Sequence, residues 1–174
     1  HSPIFTFINK MDREARSPFE LMEDIETVLG IKTYPMNWPI GCGKEFQGVY
    51  DREKQRILFF QAEERGKKVS SAEVALDDPA LDDMIGEKKA AALREEVELL
   101  GAGREFDMEA VRNGTLSPVF FGSALTNFGI EPFLEAFLKL TPPPLARVSN
   151  EGTVDVFSPD FSAFVFKIQA NMNK

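Results

Sequence analysis

Cysteine, histidine and tryptophan are almost missing from these 174 residues; each occurs once. A single cysteine, Cys42, excludes an internal disulfide framework and fits a reducing compartment, the cytoplasm. The one histidine is His1, so catalysis by a buried histidine is not expected. No apolar run approaches the ~18 residues that a membrane span needs. The start of the chain lacks a signal-peptide pattern, so no membrane role is expected. Basic charge is also scarce: 20 Lys and Arg stand against 28 Asp and Glu, a net charge of −8. Proteins that hold nucleic acid through phosphate contacts are normally basic, because affinity comes from displaced counterions. Direct sequence-specific nucleic-acid binding by this chain is therefore not expected.

What the chain does have is phenylalanine, 16 residues of it, within an ordinary mix of 43% hydrophobic and 28% charged residues. The Phe-rich runs read as core rather than as platforms for stacking bases. Ile4-Phe5-Thr6-Phe7-Ile8 is a short apolar run, expected to be a strand buried on both faces, as in a parallel sheet. The chain begins almost inside it, which suggests a central piece of a longer protein. A helix is expected next. Ser17 and Glu20 form a capping box, Pro18 takes the first position, Phe19, Met22, Ile25 and Leu29 recur at helical spacing, and Gly30 ends it. Phe46–Tyr50 and Arg56–Gln61 read as a hairpin about Asp51-Arg52-Glu53-Lys54, and Arg65-Gly66-Lys67-Lys68 as another turn. A long helix is expected from Asp78-Pro79 to Gly101, with Leu81, Ile85, Leu93, Val97 and Leu100 as its apolar stripe and a solvated charged face. A short helix spans Asp107 to Arg112. Pro118-Val119-Phe120-Phe121 reads as a second buried strand, followed by a helix marked by Ile130, Phe133, Leu134, Phe137 and Leu138. Thr141-Pro142-Pro143-Pro144 breaks that helix. Linker composition runs to about Pro159, and Phe161–Ile168 reads as the first strand of a further domain.

Two short motifs follow the two buried strands. In open α/β sheets, ligands sit beyond the carboxyl ends of the strands. Asn9-Lys10-Met11-Asp12 lies at the end of the first. Guanine offers an N1–H and an exocyclic NH2 side by side, and an ionised carboxylate is an acceptor-only group with two oxygens, so Asp12 can take both protons. Adenine has no such pair. Asn9 can contact the base and tie neighbouring loops together, and Lys10 can lay its methylene stem over the base plane. Gly122-Ser123-Ala124-Leu125 ends the second strand, where small residues let a backbone N–H approach guanine O6. Alone, Asn-Lys-x-Asp is equally the composition of a polar turn; paired with Ser123, Ala124 and Leu125 it points to one guanine-reading site.

These residues resemble the guanine-specificity motifs of the GTPase superfamily. Asp12 and Ser123 lie 111 residues apart in the sequence, whereas a simple βαβ unit needs about 30. A subdomain inserted between the motifs is similar to the larger translational GTPases. Phe5–Arg13, Trp38–Lys44, Phe46–Tyr50, Pro118–Gly129 and Phe164–Met172 resemble the bacterial peptide chain release factor 3 family most specifically. The resemblance implies an α/β fold: part of a P-loop-GTPase-type parallel sheet, an inserted α+β subdomain, and the first strand of a following β-barrel domain. The expected parts are 1–33 and 116–145 for the GTPase domain, 34–115 for the insertion, 146–160 for a linker, and 161–174 for the start of the barrel. It further implies a GTPase binding GTP and GDP with Mg2+, in translation termination, with the ribosome and class I peptide chain release factors as partners. Guanine-binding roles carry over to Asn9, Lys10, Asp12, Ser123, Ala124 and Leu125.

No catalytic or metal-binding residue carries over. A P-loop requires Gly-x-x-x-x-Gly-Lys-Ser/Thr. The nearest stretch, Gly41-Cys42-Gly43-Lys44, is followed by Glu45 and has Trp38 where the first glycine belongs, so it reads as a turn before a strand. In the family, the P-loop, the switch segments and the water-positioning histidine lie upstream of the first strand seen here. Cys42 reads as a small packing residue rather than a reactive thiol. Three alternatives stay open at this point: a translational GTPase of the elongation-factor type, a non-catalytic protein-interaction module, and an unrelated doubly wound α/β protein.

Overall fold

Leu116–Phe121 (β6) is buried along its whole length and organises the sheet around it. The computed structural model describes residues 2–59 and 74–168. Lys32–Pro35 (β2) runs parallel to the first half of β6, with Lys32 opposite Leu116 and Pro35 opposite Val119. Thr6–Ile8 (β1) runs parallel to the second half, from Val119 to Phe121. The order is β1-β6-β2. Pro118, with no N–H to donate, sits one residue before the handover at Val119. β1 is half-buried rather than enclosed on both faces, because β6 is its one partner among the described residues. β2 was not expected from the sequence, and it carries the parallel sheet past the anticipated boundary at residue 33.

Side chains of β6 alternate between two cores, as a strand requires. Phe120 points to Met36, Ala136 and Leu140, beside Phe133. The helix Ile130–Leu140 (α5) covers that face, and its Phe133 and Phe137 meet Phe7 and Phe5 edge-on. Val119 and Phe121 point the other way, into the core that contains Trp38.

After β2 the chain leaves the parallel sheet at a definite point. Met36 N–H donates to Val119 O, and then the buried side chain of Asn37 takes over from the backbone. Its Nδ2 donates to Phe121 O at 3.1 Å, and its Oδ1 accepts from Phe121 N–H at 2.7 Å. With Phe121 satisfied, Asn37–Ile40 (β3) can pair with Gly48–Asp51 (β4), which pairs with Arg56–Phe59 (β5) in a second, antiparallel sheet. The expected hairpin is thus present as β4–β5, with its last two residues, Phe60 and Gln61, outside the described residues. The expected turn at Arg65–Lys68 is also outside them.

Helices close this second sheet. The expected helix from residue 78 to 101 is broken at Gly86, which has φ +89 and separates Ala80–Ile85 (α2) from Glu87–Gly101 (α3). The predicted stripe still faces inward, with Leu81, Ile85, Leu93 and Leu100 buried. Arg94 bridges the break by donating to Asp82 and to Leu76 O. Glu96 accepts from Trp38 Nε1 at 2.6 Å, which ties α3 to β3. Met108–Arg112 (α4) begins where expected, and Asp107 caps it by accepting from the N–H groups of Glu109 and Ala110.

The helix Pro18–Leu29 (α1) starts and stops as the sequence predicts, with Gly30 left-handed at its end. The capping box does not form, since Ser17 makes no side-chain cap bond; its carbonyl accepts from Leu21 instead. Only Met22 of the predicted stripe is buried; Leu29 is exposed, and Phe19 lays its ring against Trp38. Glu26 anchors the helix to β2, accepting from Thr33 N–H at 2.8 Å, from the Thr33 hydroxyl at 2.9 Å and from Arg104 at 3.2 Å. Burial opposes ionisation of Glu26, but these donors outweigh it and hold the carboxyl below its ordinary range.

The chain divides into two compact units, residues 1–141 and 142–174. In the second, the expected linker folds a small hairpin, Arg147–Ser149 (β7) with Gly152–Val154 (β8). Phe161–Ile168 forms no strand and is exposed throughout, because a strand needs a ladder partner and no described residue supplies one.

Two outcomes are expected. Asn37→Ala leaves two buried backbone groups of Phe121 without partners, at roughly 1–3 kcal/mol each, and should lower the urea midpoint of unfolding accordingly. The stabilisation from Glu26 is fully present above the ordinary glutamate pKa of about 4.3 and is lost as pH falls through its lowered folded value. The difference in melting temperature between wild type and Glu26→Gln should therefore shrink as pH is taken from 6 to below 4.

Candidate functional site

β1 and β6 run side by side and end together, so the loops that follow them meet. Gly122 N–H donates to Ile8 O, and Met11 N–H donates back to Gly122 O at 3.0 Å. Gly122 is held to glycine by space: a Cβ there would stand 2.5 Å from Phe128 O and 2.8 Å from the Phe7 ring. The approach of the two loops thus depends on a missing side chain.

Asn9 stitches the loops at their tips. Its Oδ1 accepts from Lys10 N–H and from Ala124 N–H, both at 2.8 Å. This leaves the Nδ2 donors of Asn9 without a partner among the described residues. Lys10 adopts a left-handed backbone, φ +69. That conformation costs a non-glycine residue about 1–2 kcal/mol, and such outliers cluster where a loop is held for a purpose. Lys10 itself is exposed, with its side chain directed to solvent or ligand rather than core. Met11 is the reverse, 1% exposed and packed in the main core, so it anchors the loop from beneath.

Asp12 is half-buried, and its Oδ1 is shut away from solvent with no hydrogen-bond donor. Leaving a buried polar atom unmatched costs roughly 1–3 kcal/mol. A ligand bearing two adjacent N–H donors is the kind of molecule that such a carboxylate suits. Across from it, Ser123 is fully buried and its backbone pairs with Phe128 in both directions, which closes the tight loop 123–128. The Ser123 hydroxyl also has no partner. Since Ala124 N–H is committed to Asn9, the N–H groups of Leu125, exposed at the loop tip, and of Thr126 are the ones in this loop without a partner among the described residues.

All six residues singled out in the sequence, Asn9, Lys10, Asp12, Ser123, Ala124 and Leu125, therefore lie on two adjoining loops at one end of the parallel sheet. Sequence reasoning missed Gly43. Its N–H donates to both Met11 O and Arg13 O, at 2.9 and 3.1 Å, directly beneath the Asp12 loop. The local signal is the pair of glycines at 41 and 43, which marks a turn before a strand but carries no sign of its contact with Met11 and Arg13. Among the described residues no group of three His, Cys, Asp or Glu is placed to hold a metal ion. No helix among the described residues is long and apolar enough to cross a membrane.

The chain belongs to the Elongation factor Tu GTP binding domain family, whose model matches residues 1–143. Within that family its likeness is to proteins called peptide chain release factor 3. The one from Symbiobacterium thermophilum is 54% identical over 173 residues, which is 98% of this chain and 33% of that protein. Those from Synechococcus elongatus and Acaryochloris marina are 51% and 48% identical over 98% of this chain and 31% and 32% of theirs. The chain spans about a third of the length of these curated relatives. A crystal structure of a protein from Thermus thermophilus superposes with a TM-score of 0.51 at 26% identity, over 80% of this chain and 22% of that one.

Removing the shared acceptor should loosen both loops at once. Asn9→Ala is expected to speed hydrogen exchange at the Ala124 amide by roughly fivefold, the equivalent of one ~1 kcal/mol hydrogen bond, while the Val119 amide in β6 is unchanged. Equal acceleration at both positions would show that Asn9 supports the fold generally rather than the junction of the loops.

Proposed function

We propose that this chain is the guanine-reading part of a ribosome-associated GTPase of the release factor 3 type, which promotes release of class I release factors in translation termination. The observation that carries the reading is the half-buried carboxylate of Asp12, whose Oδ1 has no donor, on a loop that Asn9 joins to Ala124. Asp12 accepts the N1–H and the exocyclic NH2 of guanine. Each such charge-assisted bond contributes roughly 1.5–3 kcal/mol. Leu125 N–H donates to O6, an acceptor in guanine where adenine carries a donor. Asn9 presents its Nδ2 to the base edge, since its oxygen is already committed, and Lys10 covers the base plane with its stem.

Phosphoryl transfer depends on positioning and charge around the phosphates. The 174 residues hold no Gly-x-x-x-x-Gly-Lys-Ser/Thr motif, so we assign phosphate and Mg2+ binding, and hydrolysis, to residues of the full-length protein outside this chain. The same proposal places that protein in the cytoplasm, with residues 36–115 as the inserted region and Phe161 onwards as the beginning of a β-barrel domain that completes itself with further strands. The names of the relatives, each about three times as long as this chain, support this reading.

The test is nucleotide binding by the full-length protein, wild type against Asp12→Asn. Xanthine has a carbonyl where guanine has its exocyclic NH2, and an amide at position 12 can donate to it. Asp12→Asn should weaken GTP binding by roughly 10²-fold, two charge-assisted bonds being affected, and should raise the affinity for xanthosine triphosphate. An unchanged preference for GTP would remove Asp12 from the base site.

A further inference from the structure

Between β3 and β4 the inserted region makes a tight turn, residues 41–46, and this turn touches both halves of the candidate site. Gly43 has φ +60 and lies directly under Asp12. Its single N–H forks to the carbonyls on either side of that residue, Met11 O and Arg13 O. The Asp12 loop is thus held from two directions: Met11 N–H ties it to Gly122, and Gly43 clamps the carbonyls of the residues before and after Asp12. Three residues on, Phe46 is buried with its ring edge-on to Phe128 at 5.4 Å. Phe128 is the residue whose backbone closes the Ser123 loop. One turn therefore supports the carboxylate by hydrogen bonds and the backbone-donor loop by ring packing.

The turn is itself rigidly built. Gly41 has φ +74, and a Cβ there would stand 2.3 Å from Glu45 O. Phe46 N–H closes onto Gly43 O, and Glu45 pairs with Lys89 of α3. A Cβ on Gly43 would meet Glu14 Oε1 at 2.6 Å and Glu14 N at 3.2 Å. The Glu14 carboxylate can swing aside, but a Cβ still presses on the Glu14 backbone N, in the segment that follows Asp12, and the left-handed backbone adds strain of its own.

We propose that Gly43 is a specificity-determining positioning residue: the inserted region, through this turn, sets the aim of Asp12 and hence the discrimination for the exocyclic amino group of guanine. This rests on the guanine-reading assignment made above. Gly43 touches no base; it acts through Asp12. Loss of the clamp degrades the bond that needs alignment, the one to the exocyclic NH2, more than it degrades nucleotide binding as a whole. The signature is a change in a ratio of affinities rather than in affinity alone.

Inosine diphosphate differs from GDP only in lacking that amino group, so the ratio of the two affinities reports the bond. The measurement is the affinity of the full-length protein for GDP and for inosine diphosphate, in wild type, Gly43→Ala and Gly30→Ala. Gly30 is a matched control. It is also left-handed, at φ +66, but a Cβ there meets nothing within 4 Å, and it caps α1 away from the site. Gly43→Ala should reduce the preference for GDP over inosine diphosphate by about fivefold or more, and Gly30→Ala should keep the wild-type ratio. If Gly43→Ala does not fold by thermal melting, Gly43→Asn replaces it, because asparagine accepts positive φ better yet still carries the Cβ. A wild-type ratio in the Gly43 variant overturns the positioning role and leaves the guanine-reading site standing. A reduced ratio in Gly30→Ala overturns it too, by showing that the ratio follows general stability. Equal affinity of wild type for the two nucleotides removes the site assignment, and this proposal with it.

Discussion

The amide of Asn37 bonding both backbone groups of Phe121 is the interaction on which the arrangement depends. A parallel strand pairing with β6 would have continued along it. Asn37 supplies the same donor and acceptor from a side chain, which releases its own backbone to begin a second sheet of the opposite kind. One residue thus ends one ladder and starts another without leaving a buried group unmatched. Phe121 is also the last residue of β6, next to Gly122 and Ser123. The junction of the two sheets and the base of the donor loop are therefore held by the same contact.

From that junction the site can be followed outward as a set of backbone bonds. Gly122 exchanges bonds with Ile8 and Met11, Asn9 reaches Ala124, and Gly43 holds Met11 and Arg13. Most of these are main-chain groups, and the side chains needed for them are either absent, as at Gly122 and Gly43, or short amides, as at Asn9 and Asn37. Two buried polar atoms on these loops are left over, Asp12 Oδ1 and the Ser123 hydroxyl. Buried acceptors without donors favour selection between similar ligands, because a ligand that lacks the matching donors leaves them unmatched.

How much of this was legible in the sequence depended on whether the signal was local. That Asn9, Lys10, Asp12 and Ser123 to Leu125 share one end of the sheet could be read because each motif follows an apolar run that forms a strand. The stripe of Leu81, Ile85, Leu93 and Leu100 was readable from periodicity, although Gly86 divided the helix that carries it. β2 and β3 were not readable. Lys32-Thr33-Tyr34-Pro35 has no apolar alternation, and its pairing is decided by β6, more than eighty residues away. The role of Asn37 was equally hidden, since a lone asparagine before Trp38 carries no local sign of a bond to Phe121. At the other end, Phe161–Ile168 reads as a strand from composition, but a ladder needs a second strand, which composition alone cannot provide. The apparent linker before it had enough β-forming character at Arg147–Ser149 and Gly152–Val154 to fold a hairpin.

The division of β6 between two partners has a consequence for the order of assembly. Its first half receives β2 and its second half β1, whose residues 6–8 pair with residues 119–121. During synthesis, β1 and β2 emerge first and have no edge of β6 to join until more than a hundred residues have followed β1. The antiparallel hairpin β4–β5 can close within its own short stretch. Contacts of such long sequence separation form slowly, and strands that wait with open edges are exposed to wrong partners. Joining of the loops after β1 and β6 is thus a late event in the first unit. The ribosome must have extruded β6 before the Met11–Gly122 and Asn9–Ala124 bonds can form.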